Sequence, residues 1–222
     1  MPGSAVKKIW YRLASWGCRL FLILAFRFGV YGRHNVPDSG GVILASNHQS
    51  YLDPVFCAVA LRRQCNYLAR ETLFINPVFR LLIKSLNAVP VRRGQADLRA
   101  MKQIINLLRQ DKMVCLYPEG TRSSNGTVRH VKPGFGLLSR RSGATVVPTV
   151  IEGAYDVWPR HQKFFSGGKP VSVCYGEPIR PEQIVQMSEQ QLADELTRRL
   201  RKIQNELRRR QAKQPFDYEN YG

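Results

Sequence analysis

Six short apolar runs of strand length recur along the chain, at 41–46 (GVILAS), 66–69, 88–91 (AVPV), 113–117 (MVCLY), 145–151 (TVVPTVI) and 170–175. Segments with helical periodicity lie between them, near 54–62, 74–85, 95–110 and 133–142. Strands alternating with helices predict an α/β fold: a mainly parallel sheet flanked by helices. Ser188, followed three residues later by Gln191, forms a capping box that starts a final C-terminal helix through about Lys213. At 222 residues a single large domain fits better than two. The chain divides into an N-terminal amphipathic basic helix (1–33), a main body (34–180) and a C-terminal helix with its tail (181–222).

The N-terminal segment stands apart from this alternation. Its apolar run Leu20 to Phe26 is only seven residues long and lies between Arg19 and Arg27, too short for a spanning helix. A secretory signal is also a poor match, because no small-residue cleavage site follows the run. At 100° per residue Lys8, Arg12 and Arg19 form a narrow stripe with Arg27 nearby. Ile9, Trp10, Leu13, Leu20, Phe21, Leu24 and Phe28 occupy the rest of the circumference. A wide apolar face with a basic stripe describes a helix lying in a membrane interface. Packing against the protein's own core is the other reading.

Charge sharpens the choice of partner. The formal net charge of +18 calls for a polyanion: nucleic acid, an anionic membrane surface or a phosphorylated small molecule. Its distribution is +6 over residues 1–34, which hold no acid, +10 over 35–179 and +2 over 180–222. Spread through the body in this way, the charge differs from a disordered basic tail for nucleic acid. The arginines of the last segment read as a solvated helix face. Five scattered cysteines, at 18, 57, 65, 115 and 174, with no Cys-x-x-Cys pair, fit free thiols in a reducing compartment and so the cytoplasmic side.

Ligands of α/β folds sit at the carboxyl ends of the strands, so the turns after the apolar runs carry the candidate chemistry. After GVILAS comes Asn47-His48-Gln49-Ser50-Tyr51-Leu52-Asp53-Pro54. Asp before Pro predicts Asp53 as an N-cap with Pro54 at the first helical position. His48 then lies in a loop that can fold back to the Asp53 carboxylate. A carboxylate on one ring nitrogen leaves the other free to take a proton from a nucleophile. The next turn, Tyr117-Pro118-Glu119-Gly120-Thr121-Arg122-Ser123, supplies an acceptor, close backbone approach, a hydroxyl and a guanidinium suited to phosphate. Val91-Arg92-Arg93-Gly94 puts two guanidinium groups at a strand end, and Lys132-Pro133-Gly134-Phe135-Gly136 offers backbone amides to an anion at a helix start. Each turn taken alone also reads as an ordinary turn, cap or surface charge. The chain has no Gly-x-Ser-x-Gly elbow, Walker-type phosphate loop, His-Glu-x-x-His motif or dinucleotide fingerprint.

Together, Asn47-His48 through Asp53, Arg93, Pro118-Glu119-Gly120-Thr121-Arg122, and Val147-Pro148-Thr149 before Glu152-Gly153 resemble the four ordered motifs of the glycerolipid acyltransferases, specifically the 1-acyl-sn-glycerol-3-phosphate acyltransferase group. The resemblance covers roughly 34–180, making that span the catalytic domain. It implies transfer of a fatty acyl group from acyl-CoA or acyl carrier protein to the free hydroxyl of 1-acyl-sn-glycerol-3-phosphate, giving phosphatidic acid. His48 would be the general base and Asp53 its orienting partner; Arg93, Glu119, Gly120, Thr121 and Arg122 would hold the acceptor's phosphate. Pro148 would shape a pocket without touching the reacting atoms. No covalent nucleophile is placed, so a ternary complex is expected, with no metal or further cofactor and no nucleic acid. The expected location is the cytoplasmic face of a membrane, monotopic rather than spanning. Another lysolipid acceptor, or a non-enzymatic basic protein, are the competing expectations. The chain departs from the family at Asn87, usually Gly, and at Tyr117, more often Phe.

Overall fold

The apolar runs at 42–46, 113–116 and 145–152 are continuous because the strands they form are covered on both faces, as in parallel sheets generally. A computed structural model describes residues 3–91 and 98–220. In chain order the elements are α1 (Gly3–Ala25), β1 (Arg27–Tyr31), β2 (Val42–Ser46), α2 (Asp53–Ala58), β3 (Cys65–Arg70), α3 (Pro77–Ser85), β4 (Ala88–Val91), α4 (Leu98–Arg109), β5 (Met113–Leu116), α5 (Gly134–Ser142), β6 (Thr145–Glu152), α6 (Ala154–Val157), β7 (Pro170–Tyr175), α7 (Pro181–Ile184) and α8 (Glu189–Arg210). The strands form one sheet in the order β1-β7-β6-β2-β5-β3-β4. Every neighbouring pair is parallel except β6 with β7.

Alternation along the central strands divides the core in two. Ile43, Ala45, Val114, Leu116, Val146 and Val150 face α4, α5 and α8, meeting Ile104, Leu108, Leu138, Leu192, Leu196 and Leu200. Val42, Leu44, Met113, Cys115, Val147 and Ile151 face the other way, onto Phe56 and Cys57 of α2 and onto Leu22 and Phe26 at the end of the first helix. The five cysteines are free thiols. Burial pushes the thiols of Cys57 and Cys65 upward, so they behave as small apolar core residues.

Three sequence expectations change. The N-terminal helix ends at Ala25 rather than running through Phe28 to about residue 33, and Arg27–Tyr31 is an edge strand. Arg27 N donates to Lys169 O (3.3 Å) and Gly168 N to Ala25 O (2.8 Å), so pairing with β7 ends the helix there. Asp53 is the first helical residue, not the cap: Leu52 precedes the helix, and its carbonyl accepts from Phe56 N (3.0 Å). Gly136, offered as part of an anion-binding helix start, instead permits close packing, because a Cβ there would stand 2.7 Å from the Glu189 backbone at the start of α8. The capping box at Ser188 is present in both directions: Gln191 N donates to Ser188 Oγ (3.1 Å) and Ser188 N to Gln191 Oε1 (2.8 Å).

The N-terminal helix joins the body along one stripe. Tyr11 and Leu22 are buried with Phe26 just beyond, and Cys65 N donates to the Tyr11 hydroxyl (3.1 Å). Trp10 Nε1 donates to Ser85 Oγ (3.0 Å), tying this helix to α3 across a groove lined by Trp10, Val78, Leu81, Leu82 and Ser85. The rest of the helix is uncovered, with Trp16 77% and Leu24 78% exposed. Val78 and Leu81 extend the same apolar character along α3, with Ile75 exposed just before it. Among the described residues no helix is long and apolar enough to cross a membrane.

Candidate active site

β2, β5 and β6 are parallel, so the turns that leave them emerge at one edge of the sheet. Asn47 continues the pairing one residue past β2: its Nδ2 donates to Ile151 O (2.9 Å) and its Oδ1 accepts from Ile151 N (2.8 Å). This two-point grip on β6 fixes where His48 leaves the sheet. His48 N then donates to Glu119 Oε1 (2.9 Å), and His48 O accepts from Ser123 N (2.7 Å), so both backbone groups of the residue are held by the turn after β5.

The imidazole is held as firmly. His48 Nδ1 lies 2.7 Å from Asp53 Oδ2, the same oxygen that accepts from Gln49 N (2.6 Å) and Ser50 N (2.7 Å). A carboxylate oxygen only accepts, so the ring proton sits on Nδ1 and the lone pair on Nε2. Asp53 is fully buried while His48 is partly exposed, so the pair is anchored inside and reactive outside. The Tyr117 ring stacks on the imidazole with centroids 4.0 Å apart and planes at 16°, which settles the ring orientation from the remaining side. Burial pushes the Tyr117 phenol well upward, so it serves as a neutral plate.

The two predicted partners thus meet, and the loop between them allows it. Asp53 works backward onto the loop's amides instead of forward onto the helix. Glu119, expected to hold phosphate, has each oxygen engaged by a backbone amide, His48 N on Oε1 and Arg129 N on Oε2 (3.0 Å). Its carboxyl is pushed up to about 8, chiefly by burial and against those two amides. In this geometry Glu119 braces the His48 turn.

Gly120, Thr121 and Arg122 remain toward solvent. Gly120 has φ 76°, and a Cβ there would come within 2.9 Å of Lys132 Nζ, so the glycine lets an ammonium lie against the turn. The Arg122 guanidinium stacks 3.7 Å over the Tyr51 ring, and its buried Nη1 has no hydrogen-bond partner among the described residues. A charged donor left unfilled in this way suits an anionic oxygen of a ligand. Pro148 is buried in β6 opposite Ala45 and its carbonyl accepts from Gly176 N (2.7 Å), so any influence on a pocket passes through the strand. Arg93 lies outside the described residues, as does Arg92. Asn87 has φ 64°, a left-handed conformation that glycine adopts freely and asparagine better than most, which accounts for this departure from the family pattern.

The sequence names the turns that hold Asn47, Gln49 and Lys132 but gives these three side chains no role of their own in the site. Gln49 Nε2 donates to Gly126 O (2.5 Å), and its Oε1 accepts from Tyr155 N (3.4 Å). Asparagine directly after a buried strand was the one local signal for the first of these.

The chain is also similar to known proteins. The family model described as acyltransferase matches residues 27–152, which contain the His48, Glu119 and Pro148 segments. The chain is 28% identical over 195 residues to the 1-acyl-sn-glycerol-3-phosphate acyltransferase of Bacillus subtilis, covering 85% of this chain and 94% of that protein. It is 31% identical over 162 residues to human 1-acyl-sn-glycerol-3-phosphate acyltransferase beta, covering 70% of this chain and 58% of the human one. The crystal structure of the 1-acyl-sn-glycerophosphate acyltransferase PlsC from Thermotoga maritima shares the fold with a TM-score of 0.78 at 24% identity, covering 92% of this chain and 82% of that one. With the family matched across six of the seven strands and the turns that carry His48, Asp53 and Arg122, this chain belongs to the acyltransferase family.

Proposed function

We propose that the protein transfers a fatty acyl group from an acyl thioester, acyl-CoA or acyl carrier protein, to the free hydroxyl of 1-acyl-sn-glycerol-3-phosphate, producing phosphatidic acid. The observation that carries this reading is the 2.7 Å His48–Asp53 contact beside an Arg122 guanidinium with an unfilled donor. His48 Nε2 takes the proton of the acceptor hydroxyl as its oxygen bonds to the thioester carbonyl carbon. The tetrahedral oxyanion collapses, the carbon–sulfur bond breaks, and the thiolate leaves with the proton carried by His48. Asp53 balances the imidazolium between these steps. Arg122, the Gly120 and Thr121 backbone and Arg93 hold the acceptor's phosphate. Relatives named as enzymes of this acceptor support the choice of substrate. The mechanism uses the thioester as co-substrate and asks for no metal.

The reaction belongs at a membrane surface, where a lysolipid resides. The uncovered apolar face of α1 and α3 suits the acyl-chain boundary, and the acid-free, basic first 34 residues suit an anionic leaflet. We assign a monotopic attachment on the cytoplasmic face.

Purified protein incubated with acyl-CoA or acyl carrier protein donors and a panel of lysolipids tests the reading by thiol release and lipid product. Turnover is expected with the phosphorylated acceptor; turnover confined to other lysolipids replaces it. Loss of a general base costs about 10² to 10⁴ in rate, so His48→Ala should fall by that much with binding retained. Near-wild-type turnover in that variant refutes the assignment. Arg122→Ala should raise KM for the phosphorylated acceptor, and an unchanged KM removes Arg122 from the phosphate site.

A further inference from the structure

The segment after α8 has no role in the chemistry described above, yet it is bound with care. Ala212 has φ 55° and the chain reverses there, with Lys213 N donating to Arg208 O (2.8 Å). It then runs back along the helix it has just left. Asn205 takes the Phe216 backbone at both ends, Nδ2 to Phe216 O (2.9 Å) and Oδ1 from Phe216 N (2.8 Å). Arg208 stacks on the Phe216 ring at 3.7 Å and donates to Gln214 O (2.6 Å), while Arg201 stacks on the Tyr218 ring at 4.6 Å.

These contacts deliver the Tyr218 hydroxyl to one place. It donates to Gln204 Oε1 and accepts from Val128 N (2.8 Å). Gln204 is fully buried and has its hydrogen-bonding capacity filled. Its oxygen also accepts from Val128 N (3.2 Å), and its nitrogen donates to Gly126 O (2.8 Å) and Glu152 Oε2 (2.7 Å). Glu152 is in turn fixed by Arg208 (3.0 Å) and Lys213 (3.4 Å).

Residues 126–129, which this cluster grips, are those that reach the catalytic turn. Gly126 O accepts from Gln49 Nε2 (2.5 Å), two residues before Tyr51 and next to His48. Arg129 N donates to Glu119 Oε2, whose other oxygen holds His48 N. We propose that residues 214–220 are a strap: Tyr218, through Gln204, positions the 126–129 loop and with it the backbone of His48. Tyr218 and Gln204 are positioning residues for the reaction proposed above, on which the kinetic part of this inference rests. The Tyr218 ring packs against the core, but its hydroxyl does what covering the core does not require: it meets Gln204 and the Val128 amide of this loop.

The test uses Tyr218→Phe, which keeps the ring under Arg201, and a chain ending at Lys213, which keeps the contacts to Glu152. Removing one neutral hydrogen bond should lower kcat about three-fold in Tyr218→Phe. Loss of the whole strap should lower it about ten-fold, with KM for both substrates within about two-fold, as misplacement of a catalytic group does. Combined with Gln49→Ala, which cuts the link on the other side of Gly126, the truncation should cost less than the product of the separate losses. Hydrogen exchange on the full-length and shortened chains, free of any assay of activity, should show the Val128 and Arg129 amides losing protection while β6 keeps its own. Wild-type kcat in both variants, multiplicative losses, losses confined to KM, or unchanged exchange at Val128 each overturn the proposal. If the shortened chain does not fold, Tyr218→Phe decides alone. A full chain that acylates no lysolipid sinks the proposed reaction, and the exchange data still decide whether the strap holds its loop.

Discussion

Helices α1 and α8 have nearly the same length, 23 and 22 residues, and opposite relations to water. α8 buries Leu192, Leu196, Leu200 and Leu207 at helical spacing against β6 and α5 and turns a charged face outward. α1 buries Tyr11 and Leu22 and leaves Ile9, Leu13, Trp16, Leu20 and Leu24 uncovered. The apolar stripe of α8 is as wide as the surface the sheet offers it. That of α1 is wider, and the surplus has no protein to meet among the described residues. A helix of the first kind is explained by its own core; one of the second kind is complete only against an apolar phase outside the protein.

The largest effect expected from this contrast is on α8. Leu200 is fully buried, and Leu200→Ala should cost about 2–5 kcal/mol of unfolding free energy, measured by denaturant titration, from lost transfer energy and the cavity left behind. Leu24, 78% exposed, should behave in the opposite way. Leu24→Ala should leave stability within about 0.5 kcal/mol. Its partition onto anionic vesicles should weaken about ten-fold, since burying a Leu contributes roughly 1.5–3 kcal/mol. A stability loss like that of Leu200→Ala with unchanged partition would erase the contrast and return the outer face of α1 to the protein's own packing.

The same contrast governs what could be read from the sequence. β2, β5 and β6 were legible as unbroken apolar runs because both faces are buried. Arg27–Tyr31 was not, because its apolar residues extend the period of the preceding helix, and only pairing with β7 some 140 residues away turns them into a strand. His48 and Asp53 were legible because the loop that joins them is local, although the carboxylate caps the amides of Gln49 and Ser50 and not the helix. The bracing of His48 by Glu119 spans 71 residues, and Gln204 reaches Gly126 across 78. Bonds of that reach leave no spacing signature, so the sequence offers Glu119 as a ligand contact, whereas in the fold both of its oxygens meet backbone amides.

The smallest effect separates the two helices by charge. On α8, Arg198 makes two 2.9 Å contacts to Glu195, and Arg199 adds a third at 2.7 Å. Arg198 is the leading cause that holds the Glu195 carboxyl below its ordinary value, with Arg199 behind it. A depressed folded value stabilises the protein above the unfolded carboxylate range and ceases to do so as pH falls through the folded one. Arg198 is 64% exposed, so solvent screens the pair and Arg198→Ala should change stability by no more than about 0.5 kcal/mol at neutral pH. That small difference should shrink further in acid, where Glu195 protonates, and in high salt, both measured by thermal unfolding. Among the described residues no ion pair holds Arg12 or Arg19 of α1, and the first 34 residues offer them no acid of their own. Arg12→Gln should therefore leave unfolding unchanged across the same pH and salt range while weakening attachment to anionic vesicles by about 1 kcal/mol at low salt. Equal salt sensitivity of unfolding in the two variants would mean that α1, like α8, spends its charge inside the protein.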